Sequence, residues 1–155
     1  MVRFIVIGLS WAVVALAGCP RGDSTNMQTA KRSVVTLAPA GRAPVTVRVE
    51  VARTPEQTQR GLMFRERLDA DAGMVFLFEN DDDHTFWMKN TPLPLDMIFI
   101  TRDLAVAGVV ENTTPFSTQT RSCGQQSRYV LEVNAGFAAQ HGITAGTKVT
   151  FVNVF

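Results

Sequence analysis

The sequence predicts a mainly β fold: a small closed β-barrel-like domain of about eight short strands with one or two short α-helices. The first observation behind this prediction is that short alternating or continuously apolar runs recur through most of the chain, as is typical of strands. The second is that only two segments carry the start or stop signals of a helix. The third is that no internal repeat or low-complexity block interrupts the series, so we expect one domain over residues 33–155.

Residues 1–18 have the pattern of an export signal and are not expected to belong to the fold. Arg3 supplies a positive charge, and the apolar run that follows it is too short for a typical transmembrane span. The run ends in Leu-Ala-Gly before Cys19, which resembles a bacterial lipobox. By that resemblance we expect a lipoprotein signal peptide and a lipid anchor, with palmitate-type acyl chains, on Cys19. An ordinary secretory signal followed by an incidental cysteine is the alternative.

The expected anchor places the protein at the bacterial cell envelope. Two or more acyl chains hold a protein stably at a membrane, whereas a single chain does not. Pro20 after the cysteine favours the outer membrane over the inner membrane, again by resemblance, and the protein would face the periplasm. Residues 19–32 are small and polar without periodicity, so we expect a flexible tether between the lipid and the domain.

Strand patterns follow one another through the domain. In residues 45–51 the valines alternate to one face, which is typical of a half-buried strand. Residues 129–133 place Glu132 on the face opposite to three apolar side chains. Besides two central strands, strands are predicted over residues 34–37, 45–51, 74–78, 104–110, 129–133 and 148–154.

Two short helices interrupt the strands. Thr54 is the expected N-cap of the first, with a proline at the first helical position and Gln57 completing a capping box. We expect this helix to continue to about Phe64. A second helix is predicted over residues 135–141, and Gly142 is its expected C-cap.

Residues 86–100, with the sequence FWMKNTPLPLDMIFI, form the centre of the domain and hold most of its candidate site residues. Residues 86–91 are predicted to be a strand because aromatic residues suit a pleated, half-buried surface. The two prolines that follow cannot donate hydrogen bonds within a sheet, so they predict a bend. Residues 95–100 then form a second strand that is apolar on both faces, as expected for a strand buried on both sides.

Asp96 is the exception within that second strand, since its carboxylate shares a face with two isoleucines. A buried carboxylate costs several kcal/mol unless it is paired or protonated. In a structural interpretation, Asp96 accepts backbone N–H groups of the 91–94 bend or pairs with Lys89. In a functional interpretation, it is a perturbed carboxylate that lines a pocket. Lys89 itself is expected either to extend into solvent or to face an acidic group.

Two further patterns suggest chemistry, and each has a simpler interpretation. Residues 81–83 are three aspartates of the type that bind calcium, but the EF-hand spacing is missing, so an acidic turn is expected. Cys123 has no partner for an intramolecular disulfide if Cys19 carries lipid, and a structural or incidental role is expected.

Four methionines within a short span raise the question of a soft-metal site, because thioethers suit Cu(I). They are Met63, Met74, Met88 and Met97. Since methionine is also the usual filler of irregular cores, core packing is expected, and no metal or cofactor is predicted. Basic and acidic side chains number 15 and 14 and nearly cancel, so the composition gives no indication of nucleic-acid binding.

Several motifs resemble, in their order and spacing, the bacterial and archaeal family called domain of unknown function 192 (DUF192). The motifs are GLM at 61–63, GMVF at 73–76, FWMKNT at 86–91, PLDMIFI at 94–100 and YVLEVNAG at 129–136. The resemblance covers residues 45–151 and implies a compact β-barrel-like domain with short helices, but no established activity. It also marks a set of ligand-binding candidates: Met63, Arg65, Trp87, Lys89, Asn90, Thr91, Asp96 and Glu132. The chain departs from the common family pattern at residues 112–127.

Four functions compete at this point. The first is a lipid-anchored binding module for a small polar or anionic ligand, a peptide or a saccharide. In it, Trp87 is a stacking face, and Lys89 and Arg65 contact an anion. The second is an envelope enzyme with Asp96 and Glu132 as acid and base, although no hydrolase motif is present. The third is a copper site and the fourth a purely structural envelope protein. The sequence favours the binding module and predicts neither a protein partner nor an oligomeric state.

Overall fold

The computed structural model describes residues 32–155. The predicted signal peptide, the predicted lipidation site Cys19 and nearly all of the predicted tether lie outside the described residues. Strands and helices follow in the order β1 (Val34–Ala38), β2 (Val45–Ala52), α1 (Pro55–Arg60), β3 (Ala72–Asp82), β4 (Leu95–Ile100), β5 (Val106–Thr113), β6 (Ser127–Asn134), α2 (Phe137–His141) and β7 (Lys148–Val152). Within residues 32–155, no helix is long and apolar enough to span a membrane.

The strands form one seven-stranded sheet, in the order β5-β4-β6-β3-β2-β1-β7, which curls into a half-barrel. Neighbouring strands are antiparallel except β2 and β3, which are parallel because the connection through α1 returns the chain to the same end of the sheet. The two outer strands approach each other where Ala105 bridges Lys148. Beside that bridge, the N–H of Val106 donates to the carbonyl of Thr147 at 2.9 Å. This architecture confirms the mainly β, barrel-like fold class.

The two faces of the sheet bury separate hydrophobic cores. On one face, which we call the α2 face, residues such as Ile98 pack against Phe137 of α2. On the other, which we call the cleft face, residues such as Met97 pack beneath Leu62 and Met88. Because successive side chains of a strand point to opposite faces, β4 contributes to both cores, and all six of its residues are buried. The prediction of a strand buried on both sides is confirmed.

The beginning of α1 agrees with the prediction, but its end does not. Thr54 is the N-cap, its hydroxyl accepts the N–H of Gln57, and the Gln57 side chain accepts the N–H of Thr54. The helix ends at Arg60 and does not continue to Phe64. Gly61 stops it, because its φ of 45° lies outside the helical region. The end of α2 is as predicted, with a left-handed glycine as the C-cap.

Residues 86–91 are not the strand that their aromatic pattern predicts. Only Phe86 forms a β-bridge, and its partner is Arg121. The N–H of Met88 then donates to the carbonyl of Ser117 at 2.8 Å. The segment is therefore held by the loop after β5, and the sheet has seven strands in place of the predicted eight.

Candidate functional site

A cleft of about 350 Å³ opens on the cleft face of the domain, between the α1 region and the 86–91 segment. Its lining residues are Glu56, Gln59, Arg60, Met63, Phe64, Trp87, Lys89 and Asn90. The cleft thus brings together candidates that the sequence places in two separate motifs, GLM at 61–63 and FWMKNT at 86–91.

One wall of the cleft is the turn that follows α1. Phe64 has a φ of 64°, in the left-handed region, and its N–H donates to the carbonyl of Asn90 at 2.8 Å. Asn90 is itself left-handed, at φ 54°. Left-handed backbone costs a bulky residue roughly 1–2 kcal/mol, and the Phe64 ring regains little by packing because it is 67% exposed. Backbone strain of this kind clusters at functional sites.

The opposite wall presents an aromatic face and a cation. Trp87 is 40% exposed, and the Nζ atom of Lys89 lies 5.1 Å from the centre of its ring, a cation–π contact. Within residues 32–155, Lys89 has no ion-pair partner. Lys89 therefore extends into solvent across Trp87 and forms no ion pair with an acidic group in the described part of the chain. The Nδ2 atom of Asn90 lies 3.9 Å from the sulfur of Met63 and so links the two walls.

A smaller cavity of about 30 Å³, which we call the inner pocket, lies next to the cleft on the side of the sheet. The two cavities share four lining residues: Gln59, Arg60, Met63 and Trp87. Glu132 of β6 lines the inner pocket but not the cleft, and its side chain is only 4% exposed. Gly61 keeps this pocket open, because a Cβ there would lie 3.3 Å from the Phe76 ring and 3.9 Å from Oε2 of Glu132.

The Glu132 carboxyl is buried, and no residue of the described chain donates a hydrogen bond to it. Its cross-strand neighbours are Met74 on β3 and Met97 on β4, neither of which supplies a donor or a charge. Burial raises the pKa of Glu132 to about 8. At neutral pH the side chain is therefore a neutral carboxylic acid with an O–H group that can donate into the inner pocket.

Asp96 lies on the α2 face and does not line the cleft. It is fully buried, and its two oxygens accept the backbone N–H groups of Asn112 at 2.8 Å and Ala138 at 2.9 Å. Asp96 thus accepts backbone N–H groups, as the structural interpretation expects, but these groups belong to β5 and α2 and not to the predicted bend. The expected donors, the 91–94 bend and Lys89, do not contact it through hydrogen bonds.

Asp96 and Glu132 are too differently placed to act together. The pairing of β4 with β6 sets Met97 opposite Glu132 and Asp96 opposite Val133. Because opposite residues of paired strands point to the same face, the two carboxyls lie on opposite faces of the sheet. An enzyme that uses them as acid and base on one substrate is therefore excluded by the geometry.

The remaining candidates, Thr91 and Arg65, border the cleft. Thr91 is buried and lines the inner pocket, and its hydroxyl donates to the carbonyl of Lys89 at 3.2 Å. Arg65 forms a two-pronged ion pair with Glu50 in a neighbouring groove. Since that guanidinium already has a carboxylate partner, Arg60 is the arginine that faces the cleft.

Four of the residues that line the cleft were not predicted as site residues from the sequence. They are Glu56, Gln59, Arg60 and Phe64. They fall within the predicted extent of the first helix, where a surface position gives no functional signal. The signal that could have found them is Gly61, since a glycine near the end of a helical pattern is a typical C-cap. If the first helix ends at Gly61, Phe64 lies in the turn that follows the helix.

The methionines mainly fill the core of the cleft face. Met74, Met88 and Met97 are buried there, and Met63 alone lines the cleft. Within residues 32–155, no group of three or more His, Cys, Asp or Glu side chains is placed to hold a metal ion. The structure thus supports core packing for these methionines.

Cys123 and the acidic run also have structural surroundings. Cys123 packs against Gly108, and burial raises the pKa of its thiol, which disfavours the reactive thiolate. Asp81 pairs with Arg102 at 3.0 Å and with Arg128 at 2.6 Å. These ion pairs join the end of β3 to β6 and to the turn after β4.

Comparison with known proteins gives a family and two similar structures. The model of the DUF192 family, described as an uncharacterised conserved family, matches residues 35–151. A Sinorhizobium meliloti 1021 protein, provisionally described as a transcription regulator, is 36% identical over 77% of this chain and 93% of its own, with a TM-score of 0.75. A Novosphingobium aromaticivorans DSM 12444 protein of unknown function is 38% identical over 76% of this chain and 83% of its own, with a TM-score of 0.72. No curated protein matches the sequence.

Proposed function

Since the chain belongs to the DUF192 family, which is described without an activity, we propose from the cleft itself that the protein is a binding module for a small ligand. The body of the ligand lies between Trp87 and Phe64, and one polar end reaches Glu132. Arg60 and Lys89 favour a polar or anionic ligand over a cationic one. The hydrogen bond between the N–H of Phe64 and the carbonyl of Asn90 already joins the two walls in the free protein, so little ordering is needed on binding.

The observation that carries this proposal is the Glu132 carboxyl, which lines the inner pocket beside the cleft without a hydrogen-bond partner among the described residues. This carboxyl faces the inner pocket without a hydrogen bond from the described residues, whereas an apolar side chain beside Met74 and Met97 would cost less to bury. A polar atom of a ligand would supply the missing partner. Together with the strained, exposed Phe64, this is the arrangement expected of a site retained for binding.

The proposed location is the bacterial cell envelope. The lipobox-like residues before Cys19 support a diacylglyceryl anchor on that thiol, and the small polar residues 19–32 support a flexible connection to the domain. Pro20 supports the outer membrane. The cleft would then meet small molecules, peptides or saccharides on the periplasmic side.

The binding proposal is tested by an NMR survey of small aromatic, saccharide and peptide fragments with the purified protein. Fragments that bind should shift the amide signals of Gly61 and Phe64 and the indole signal of Trp87. Trp87→Ala should weaken such binding by about tenfold or more, through loss of the stacking face. Phe116→Ala is the control, because Phe116 is an aromatic residue more exposed than Trp87, at 64% against 40%, and does not line the cleft. A survey without cleft-directed shifts would favour a purely structural envelope protein.

A further inference from the structure

We propose that the cleft is specific for small organic acids, whose carboxylate enters the inner pocket and forms a hydrogen bond with the buried carboxyl of Glu132. This inference rests on the proposed binding function and names its ligand class. It is supported by the size of the inner pocket, the groups that face Glu132 and the charge around the cleft.

The two cavities divide the ligand into a small polar end and a larger body. The inner pocket, at about 30 Å³, has room for a small polar end of a ligand, such as a carboxylate, but not for its body. The outer cleft of about 350 Å³ is wide enough for a ring or a short chain. Its exposed aromatic walls, Trp87 and Phe64, offer flat apolar faces for such a body.

The groups that face Glu132 from the sheet and from the 86–91 segment give its carboxyl no charged partner. The flanking strands present Met74 and Met97, and the 86–91 segment presents Phe86, Trp87 and Thr91, all uncharged. From the α1 side, Arg60 is the one charged residue among those that line the inner pocket. Burial, which raises the pKa of Glu132 to about 8, keeps the proton on the carboxyl at neutral pH.

A ligand carboxylate fits this site because two carboxyls in contact hold one proton between them. The hydrogen bond from Glu132 to a carboxylate oxygen is charge-assisted, and such bonds are roughly twice as strong as neutral ones. Arg60, at the junction of the two cavities, supplies the compensating positive charge. A ligand ammonium would instead require Glu132 to ionise and would approach Arg60 against repulsion.

The charge of the outer cleft also favours an anionic ligand. Arg60 and Lys89 line it without an ion-pair partner in the described part of the chain, whereas Glu56 is its one acidic residue. The net charge of the residues that line the outer cleft is therefore positive, so a ligand with one negative charge is attracted and a cationic ligand is repelled.

The experiment compares three probes of one size that differ in their polar end: phenylacetate, phenylacetamide and benzylamine. Their affinities for the purified full-length protein are measured by calorimetry at pH 7, in a buffer free of carboxylates. We expect phenylacetate to bind at least about tenfold more tightly than phenylacetamide, and benzylamine to bind most weakly. Between pH 8 and 9.5, the affinity for phenylacetate should fall by about tenfold per pH unit as Glu132 loses its proton.

Variants assign this pH dependence to Glu132. Glu132→Gln keeps an N–H donor, so it should retain the affinity at pH 7 within a few-fold and lose the fall above pH 8. Glu132→Leu should lose the preference for phenylacetate over phenylacetamide. Lys89→Met should weaken phenylacetate binding several-fold and leave the pH profile unchanged. Lys148→Met removes a lysine outside the cleft and should change neither quantity.

Three results would overturn the inference: benzylamine binding more tightly than phenylacetate, equal binding of phenylacetate and phenylacetamide, or an unchanged pH profile in Glu132→Gln. The absence of binding by all three probes, when other fragments bind in the cleft, would overturn the inference as well, and each of these four results leaves the binding module intact. A fragment survey without any binder in the cleft would overturn the proposed function as well, so the two failures are distinguishable.

Discussion

At the scale of single residues, Glu132 shows how one buried position sets both stability and chemistry. Burial raises its pKa from the ordinary 4.5 to about 8. Between these two pH values the unfolded chain loses the proton that the folded protein keeps, so the folded state binds more protons. The free energy of unfolding must then decrease as the pH rises, by up to roughly 1.4 kcal/mol per pH unit, and level off above the folded pKa.

The first prediction follows from this linkage. Glu132→Gln cannot ionise, so its stability relative to the wild type should increase by roughly 2–4 kcal/mol between pH 5 and pH 8.5. Urea denaturation at the two pH values measures the difference. The exposed Glu79→Gln is the matched control and should show no such change. Parallel pH profiles for wild type and Glu132→Gln would mean that the carboxyl is solvated in the folded protein.

A second prediction concerns the strained Phe64. Glycine adopts a φ of 64° without steric cost, so Phe64→Gly should raise the free energy of unfolding by about 1 kcal/mol while weakening ligand binding. Phe116→Gly is the control, because Phe116 has a φ of 60° and is 64% exposed but lies outside the cleft. It should gain stability without loss of binding. Thermal unfolding and the affinity for a cleft-directed fragment test both statements, and a loss of stability in Phe64→Gly would contradict the strain argument.

At the scale of secondary-structure elements, Asp96 replaces a missing helix cap. The N-cap of α2 is Gly136, which has no side chain to accept the first N–H groups of the helix. Oδ2 of Asp96 on β4 accepts the N–H of Ala138 instead, and Oδ1 accepts that of Asn112. One carboxylate therefore fastens α2 and β5 to the centre of the sheet.

The third prediction tests this fastening. In Asp96→Asn, one acceptor becomes an NH₂ group that faces a backbone donor, so the free energy of unfolding should decrease by roughly 2–4 kcal/mol. Chemical denaturation measures the decrease, and hydrogen exchange should accelerate at the amides of Ala138 and Asn112. Asp103→Asn, in an exposed turn, should change stability by less than about 0.5 kcal/mol. An equal effect of the two substitutions would show that the contact contributes nothing.

The elements also show which parts of the fold a sequence reveals. The start of α1 was predictable because Thr54 and Gln57 lie three residues apart and interact locally. The 86–91 segment was not, since its aromatic pattern is that of a strand while its position depends on contacts with Ser117 and Arg121, far along the chain. Local signals therefore located most elements, and long-range contacts decided the exception.

At the scale of the whole molecule, the sequence predicted the barrel-like class and half of the residues that line the cleft, but not how the candidate residues are distributed over the two faces of the sheet. One of the competing functions paired Asp96 and Glu132 as acid and base. The register of β4 against β6 instead places the two side chains on opposite faces of the sheet. A shift of one residue would reverse that outcome, because side chains alternate along a strand. Register is fixed by the packing of both cores together, which no single motif encodes.

The fourth prediction belongs to the whole protein in the cell. If Cys19 carries the lipid anchor, Cys19→Ser should abolish incorporation of labelled palmitate and release the protein from the membrane fraction. Cys123→Ser is the matched control and should keep both the label and the membrane association, because Cys123 lies within the folded domain. Persistent labelling of Cys19→Ser would place the lipid elsewhere, and an unlabelled wild type would remove the anchor from the account.

The account depends most directly on the state of the Glu132 carboxyl, which ¹³C NMR can titrate in the purified protein. We expect a midpoint at about pH 8 in the free protein, and a higher midpoint with saturating phenylacetate, because a bound carboxylate retains the shared proton. A midpoint near 4.5 in the free protein would mean that water or an unrecognised partner reaches the carboxyl, and it would contradict the cleft as a binding site built around Glu132.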